Sequence, residues 1–535
     1  MKKRVALISV YHKNGIVEFA KELISLNFDI YASGGTAKHL AVAGVAVIDV
    51  SSLVGGEAIL GHRVVTLSRE VHAGLLAKNN LIDLKELENL GIPFINLACV
   101  DLYPLEAEIK KADSTPESVI EQTDIGGPTM LRSAAKGRRI VVCAPEDRKK
   151  TIEWLKAGSP NESEYLNYLA AKAEATIAKY CLISANYHSQ DGYKGFIGSK
   201  HLTCKYGENG HQTPAALYKD EGVNDLLAIH NFKLVAGDKP SYNNLCDLDR
   251  LLQTMTHIAA SFDKNLRGVP NIALGAKHGN CCGAAIDDDP EEVIRKMVNG
   301  DPIAIFGGLL MFNFTINESQ AEIIVSDGPN KKRLLDGIIA AGFTEGAIEI
   351  LARKKGKCRL LSNPYLELLT DECLDSGEIF RYVRGGFLSQ PNYNFILNLS
   401  DPNLKKYGPA LSIDEESDLL LAKAICDTSN SNTITLVRNG QLIGNGVGQQ
   451  TRVRAAKLAG QIAKDCKHSI PGASAASDSF FPFVDGPEAL DNLGVTTIVT
   501  SSGSVNDAKI IDFCNLNEMS LYMIPDSIGR GFYNH

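Results

Sequence analysis

At 535 residues, with 44% apolar and 22% charged side chains, the chain has ordinary globular composition and is too long for one core, so two to four domains are expected. A formal charge of −8 excludes a non-specific nucleic-acid binder, which needs a net basic face. No apolar run approaches the roughly 18 residues of a membrane span, and the twelve cysteines, with no C-x-x-C pair, suit free thiols in a reducing cytoplasm.

The opening MKKRVALISVYHKNG holds an apolar run, Val5 to Val10, too short for the core of a signal peptide, and it reads as a first strand. Ile16, Phe19, Ala20, Leu23 and Leu26 then recur at helical spacing. FDIYAS is the next strand, GTAKHLAVAG the next helix and VAVIDVSS the third strand. This alternation, sustained through residue 145, predicts a parallel sheet with helices on its faces. A long Ala-rich helix covers NESEYLNYLAAKAEATIAKYCLISANYH, and the Gly, Ser and Lys of SQDGYKGFIGSKHLTCKYG mark a linker, with a domain boundary at about 195–203. The second half is again mixed α/β. Asn439-Gly440 in TITLVRNGQLIGNG predicts a hairpin, followed by a helix with Arg452, Arg454 and Lys457. No repeat of fixed period and no low-complexity segment is visible.

Two strand–helix junctions are candidates for phosphate binding. YASGGTAKHL places Ser33, Gly34, Gly35 and Thr36 where a helix opens; free N–H groups, two hydroxyls and the lack of side chains at the glycines suit an anion. A plain turn fits the same residues, and the G-x-G-x-x-G dinucleotide fingerprint is absent. TDIGGPTMLRSAAKG sets Asp124 before Gly126-Gly127, with Arg132 and Lys136 one turn apart on the helix that follows. Two glycine-opened helices in one small domain favour a phosphorylated ligand.

LGAKHGNCCGAAI allows three chemistries. Adjacent Cys281 and Cys282 point opposite ways on extended backbone, and no further ligands at usable spacing support zinc, so no metal is expected. A cysteine nucleophile lacks a second element of a thiol-enzyme signature. Lys277 and His278 remain: a cation for a developing oxyanion beside the usual proton acceptor, unless they are only a surface lysine and a packed histidine.

These segments, with SVYHKNG, VHAGLLA, DLYP, KYGENGHQTPAALY, SYNNLCDLD, DPIAIFGG, DGIIAAGF, GQQTRV, SDSFFPFVDG and GRGFYNH, resemble the bifunctional purine enzymes that join an IMP cyclohydrolase to an AICAR (aminoimidazole carboxamide ribotide) transformylase, over nearly the whole chain. The resemblance implies an α/β protein: a methylglyoxal-synthase-like parallel-sheet domain at 1–197, and a transformylase of two cytidine-deaminase-like subdomains at 203–535 without their zinc. It implies a cytoplasmic homodimer acting on AICAR, formyl-AICAR and IMP, with 10-formyltetrahydrofolate as cosubstrate and a structural potassium ion, and with neither nucleic acid nor membrane as partner. In the transformylase it implies His278 as general base, Lys277 to stabilise the tetrahedral intermediate or help the folate leave, and Asn432 and Arg452 on the carboxamide. Lys205, Tyr206 and Arg530 would surround the phosphate, while Phe480, Phe481 and Asp485 would line the substrate and folate pocket. In the cyclohydrolase, Ser9, Lys13, Ser33, Gly34, Gly35, Thr36, Arg63 and Thr66 would cradle the nucleotide, with Tyr103, Asp124 and Lys136 around the closing ring.

The chain departs from the family pattern. Val65 stands where a lysine is usual, Ser68-Arg69 for histidine-proline, Tyr11 for serine and Asp101 for asparagine. In the second half Lys205 replaces an arginine, and Gly210 and Cys281 replace prolines. A competing expectation is therefore a transformylase whose N-terminal domain is a weak or dead cyclohydrolase or a nucleotide-sensing module.

Overall fold

Aliphatic runs punctuated by Gly, Asn and Ser set the strands. The computed structural model describes residues 3–61, 63–220, 222–326 and 332–533 and divides the chain into two units, Met1–Gly198 and Ser199–His535. In the first unit β1 (Arg4–Ser9), β2 (Phe28–Ala32), β3 (Ile48–Asp49), β4 (Ile95–Val100) and β5 (Ile140–Val142) lie in the order β3-β2-β1-β4-β5, every pair parallel. Val5 to Ile8 are all buried, as expected for a central parallel strand covered by helices on both faces. The helix Ile16–Ser25 buries Ile16, Phe19, Ala20 and Leu23, the stripe its spacing predicts, and Leu26 caps it. Strand order reverses between β1 and β4, so their carboxyl ends at Ser9 and Val100 flank the crevice where open α/β sheets bind ligands.

In the second unit β6 (Ser199–Thr203) and β7 (Ala216–Lys219) form a separate hairpin. Next come β8 (Lys233–Ala236), β9 (Asn271–Lys277), β10 (Asn280–Asp287), β11 (Leu309–Phe312), β12 (Gly337–Ala340) and β13 (Arg359–Ser362). A second separate hairpin, β14 (Glu378–Val383) with β15 (Gly386–Pro391), follows. The chain closes with β16 (Lys405–Tyr407), β17 (Ile434–Arg438), β18 (Gln441–Gly446), β19 (Ser474–Ser477), β20 (Thr497–Ser502) and β21 (Ser520–Pro525).

Apart from those two hairpins, the strands form a 12-stranded sheet that is one six-stranded pattern used twice: β10-β9-β11-β12-β13-β8 and β18-β17-β19-β20-β21-β16. Each copy is an edge strand, a long helix (Tyr242–Lys264 or Ile413–Asp427), an antiparallel hairpin, then three parallel strands joined by helices. The copies meet where β10 pairs with β18, Ala285 opposite Gln441. No repeat is visible in the sequence because the copies share element order and few residues. These are the two α/β subdomains that the resemblance implies.

Candidate active sites

At the switch point of the first unit, Ser9 and Ser33 join hydroxyl to hydroxyl at 2.7 Å. Ser33 stands at the N-cap of the helix Gly34–Val42 without capping it, and a Cβ built on Gly34 or Gly35 meets nothing within 4 Å. The helix N-terminus is thus an open seat for an anion. Lys13 reaches across it, its ammonium donating to Thr36 Oγ1 at 3.2 Å and to the Val10 carbonyl. Burial holds that ammonium below the usual lysine range, offset in part by Asp101.

After β4, Asp101 accepts the backbone N–H groups of Tyr11 and His12, and Arg148 donates to its other oxygen at 3.3 Å. An aspartate in place of the usual asparagine is therefore charge-matched by a buried arginine. Tyr11 and Tyr103 meet edge to face at 5.6 Å between ring centres.

Asp124 accepts the Gly127 N–H at 2.7 Å, while its own N–H donates to Tyr180 at 2.6 Å. Burial raises its carboxyl above the ordinary aspartate range, opposed by hydrogen bonds from the Gly127 and Tyr103 backbones. Burial, and then Asp124, raise the Tyr103 phenol. Thr66 is buried, with its hydroxyl 2.7 Å from where a Cβ on Gly126 would stand.

Three further residues of this half have distinct settings. Lys136 ends the helix Gly126–Lys136, so its backbone lies roughly 15 Å along the axis from the Asp124 end. Arg63 is exposed and paired with Glu121. Val65 is half-buried against the unit's core. Ser68 accepts the Val71 N–H at 3.1 Å and so caps the helix Arg69–Leu76.

In the second unit, Lys277, His278, Gly279 and Asn280 form the tight β9–β10 turn, with φ of 54° at His278 and 74° at Gly279. Both values suit the twist of a hairpin, but the left-handed region is unfavourable for a histidine, and such strain collects at functional sites. His278 is exposed, and the Lys277 ammonium donates to the Phe306 carbonyl at 2.8 Å. Beside the turn a pocket of about 250 Å³ is lined by Lys277, His278, Cys282, Asp301 and Asn445 among others.

The neighbouring thiols are protonated donors. Cys281 gives its hydrogen to the Gly283 carbonyl and burial pushes it up to about 12; Cys282 donates to the Gly275 carbonyl and burial raises it as well. Among the described residues no group of three or more His, Cys, Asp or Glu could hold a metal.

The residues expected around substrate lie on the second copy and on the loop preceding the first. Asn432 donates through Nδ2 to the Gln449 carbonyl at 2.8 Å. Arg452 donates at 3.0 Å to Asp478, a fully buried carboxylate that also accepts from Ser431 at 2.6 Å and from the Thr433 N–H. Arg530 is paired with Asp526 beside a second cavity of about 660 Å³ that includes Asn392, Tyr393 and Phe395. Lys205 is paired with Asp238 at 2.7 Å, and the Tyr206 carbonyl accepts the Tyr242 N–H.

Phe480 is half-buried, and Asp485, exposed, opens the helix Asp485–Asp491. Phe481 is a correction: at 1% exposure it packs in the core beneath Gly486, and Phe483, at 63%, is the exposed ring of that segment. Sequence reasoning also missed Asp478, Asp247 and Arg250. Asp478 and Asp247 stand inside the quoted motifs SDSFFPFVDG and SYNNLCDLD, but their partners are supplied only by folding.

Residues 134–462 match the family described as the AICARFT/IMPCHase bienzyme, and residues 15–129 match the MGS-like domain. The bifunctional purine biosynthesis protein PurH of Acetivibrio thermocellus is 37% identical over 522 residues, covering 95% of this chain and 96% of its own. A solved structure described as the crystal structure of ForH matches at 31% identity, over 36% of this chain and 100% of its own, with a TM-score of 0.32. On the family match and the PurH match, the chain belongs to the AICARFT/IMPCHase bienzyme family.

Proposed function

We propose that this chain catalyses formyl transfer from 10-formyltetrahydrofolate to AICAR, giving formyl-AICAR, and then its dehydrative ring closure to IMP, the last two steps of purine (IMP) biosynthesis. The observation that carries this reading is the Lys277-His278 pair, held on a strained turn beside a pocket, in a chain alike end to end to a bifunctional relative. An aromatic amine beside a carboxamide is a weak nucleophile. His278 would take its proton as the nitrogen attacks the formyl carbon, and Lys277 would stabilise the oxyanion that forms. The carbon–nitrogen bond to folate then breaks, and the proton passes to the folate nitrogen that leaves. Asn432, Arg452 and Phe480 would hold the carboxamide and folate side; Lys205, Tyr206 and Arg530 would meet the phosphate.

For ring closure the nucleotide phosphate would sit on the open helix end at Ser33–Thr36, with Lys13 as its counter-charge. The carboxamide nitrogen attacks the formyl carbon and water is lost. Asp124 and Tyr103, adjacent and both raised by burial, would move those protons. A slower cyclohydrolase is the second reading, favoured by the apolar, core-packed Val65 and by the engagement of Arg63 with Glu121.

The proposal extends to a cytoplasmic homodimer, with the transformylase site completed by the second protomer. Mixing inactive His278→Ala chains with inactive Lys205→Ala chains should then restore activity, and no recovery in mixed dimers would refute a shared site. The oxygens of buried Asp478 and of Ser431 are of the kind a potassium ion takes, and the ion would add local positive charge and no chemical step. Two readings on the purified chain test the function: tetrahydrofolate released on adding AICAR, and IMP formed from supplied formyl-AICAR above an enzyme-free blank. Neither product above the blank contradicts it.

A further inference from the structure

The duplicated sheet supplies an internal comparison for the His278 turn. Its counterpart in the second copy is Asn439-Gly440 between β17 and β18, also with positive φ at both residues, 53° and 70°. Asp418, sixth residue of the helix Ile413–Asp427, accepts both N–H groups of that turn, at 2.8 and 2.6 Å. Asp247, sixth residue of the helix Tyr242–Lys264, does the same work on the His278 turn by accepting the Gly279 N–H at 2.7 Å. An aspartate fastening the turn is thus common to both copies and belongs to the fold.

What the copies do not share is the ninth residue of that helix, Arg250 in the first and Leu421 in the second. Arg250 is 6% exposed, and its Nε donates to the Gly279 carbonyl at 2.9 Å. Its Nη2 donates across to the second copy, to the Thr428 carbonyl at 3.1 Å and to Asn430 Oδ1 at 2.7 Å. Its guanidinium lies 4.4 Å from the centre of the Tyr533 ring. A parallel link runs from the Asn430 N–H to Asn280 Oδ1 at 3.2 Å. Nη1 is buried without a partner, so this charge is held at a cost that a leucine avoids in the sister copy. The same side chain therefore grips the turn that displays His278 and the loop that leads to Asn432.

We infer that Arg250 is a positioning residue for formyl transfer, fixing the Lys277-His278 turn against the 428–432 loop so that base and carboxamide partner are held in one geometry. The inference rests on the proposed transformylase reading. It acts through backbone and neighbouring side chains, not on the substrate, so its removal lowers kcat and leaves KM unchanged.

The test is Arg250→Leu, the residue the sister copy already uses at this place, with Arg250→Lys as the variant that keeps charge but not the forked reach. In the full chain, kcat for formyl transfer by Arg250→Leu falls on the order of 10²-fold, as for a catalytic group displaced by about 1 Å. KM for AICAR and for 10-formyltetrahydrofolate stays at the wild-type value, as does closure of supplied formyl-AICAR, and Arg250→Lys recovers part of the loss. Wild-type kcat in Arg250→Leu, or a loss confined to KM, overturns the inference. Should the wild-type chain form no formyl-AICAR, the functional reading itself fails and takes the inference with it.

Discussion

Single side chains separate the chemistries open to the Cys281–Cys282 segment. Both thiols are protonated donors to backbone carbonyls, so Cys281→Ala and Cys282→Ala should retain formyl transfer, with a stability loss of about 1 kcal/mol each. Formyl transfer surviving EDTA but lost in either cysteine variant would reverse that assignment. Val65 is the informative residue of the first unit. Its side chain covers core at the edge of the crevice, and a lysine stem can cover the same surface while its ammonium reaches water. Val65→Lys should raise ring closure by supplying charge to the attacked formyl oxygen, where one such donor is worth up to about 2.7–4 kcal/mol. Ring closure level with wild type would show that Val65 is not the missing group. At this scale the motif residues were legible in the sequence, but their environments were not. Phe480 and Phe481 are adjacent and chemically identical, and only packing under Gly486 sends one of them to the core.

Helix ends and turns give contrasting glycine predictions. Gly35 faces open space, so Gly35→Ala should leave the melting temperature level or slightly higher while its methyl intrudes on the phosphate seat and raises KM for formyl-AICAR. Gly127 faces Asp124: a Cβ there would lie 2.4 Å from Oδ2 and 2.7 Å from Leu102. Gly127→Ala should therefore displace the carboxylate and lower kcat for ring closure, and an unchanged kcat would remove Asp124 from the step. Burial raises the Asp124 carboxyl, so the acid limb of ring closure should lie above the ordinary aspartate value of about 3.9 and vanish in Asp124→Asn. For stability the sign is opposite. The fold favours the protonated form, so this group's contribution is present at low pH and is lost as pH rises through the raised value.

The first unit's parallel sheet and the Asn439-Gly440 hairpin were legible because strand–helix alternation and turn chemistry are local signals. The clamp on the His278 turn was not, since Arg250 meets Thr428 and Asn430 across about half the unit's sequence.

At the scale of the whole molecule, two units carry two proposed activities, and the duplication in the second unit was hidden because its copies match in topology and in few residues. The pair Lys423–Asp427, both side chains 2% exposed, sits where the long helix of the second copy meets the C-terminal tail, through the Gly529 carbonyl. Removing one partner leaves an uncompensated buried charge, so Asp427→Leu should destabilise the second unit by about 3–5 kcal/mol, whereas Lys423→Met with Asp427→Leu should cost far less. Equal losses in the single and double variants, measured by denaturant unfolding, would count against a buried pair.

The measurement that bears most directly on the account supplies full-length wild type, His278→Ala and Asp124→Asn with AICAR and 10-formyltetrahydrofolate and resolves formyl-AICAR from IMP against an enzyme-free blank. Wild type should yield IMP. His278→Ala should lose about 10²–10⁴-fold in formyl transfer yet still close supplied formyl-AICAR, and Asp124→Asn should accumulate formyl-AICAR. A His278→Ala chain that transfers formyl groups at the wild-type rate, or an Asp124→Asn chain that still delivers IMP as fast, would contradict the assignment of one reaction to each unit.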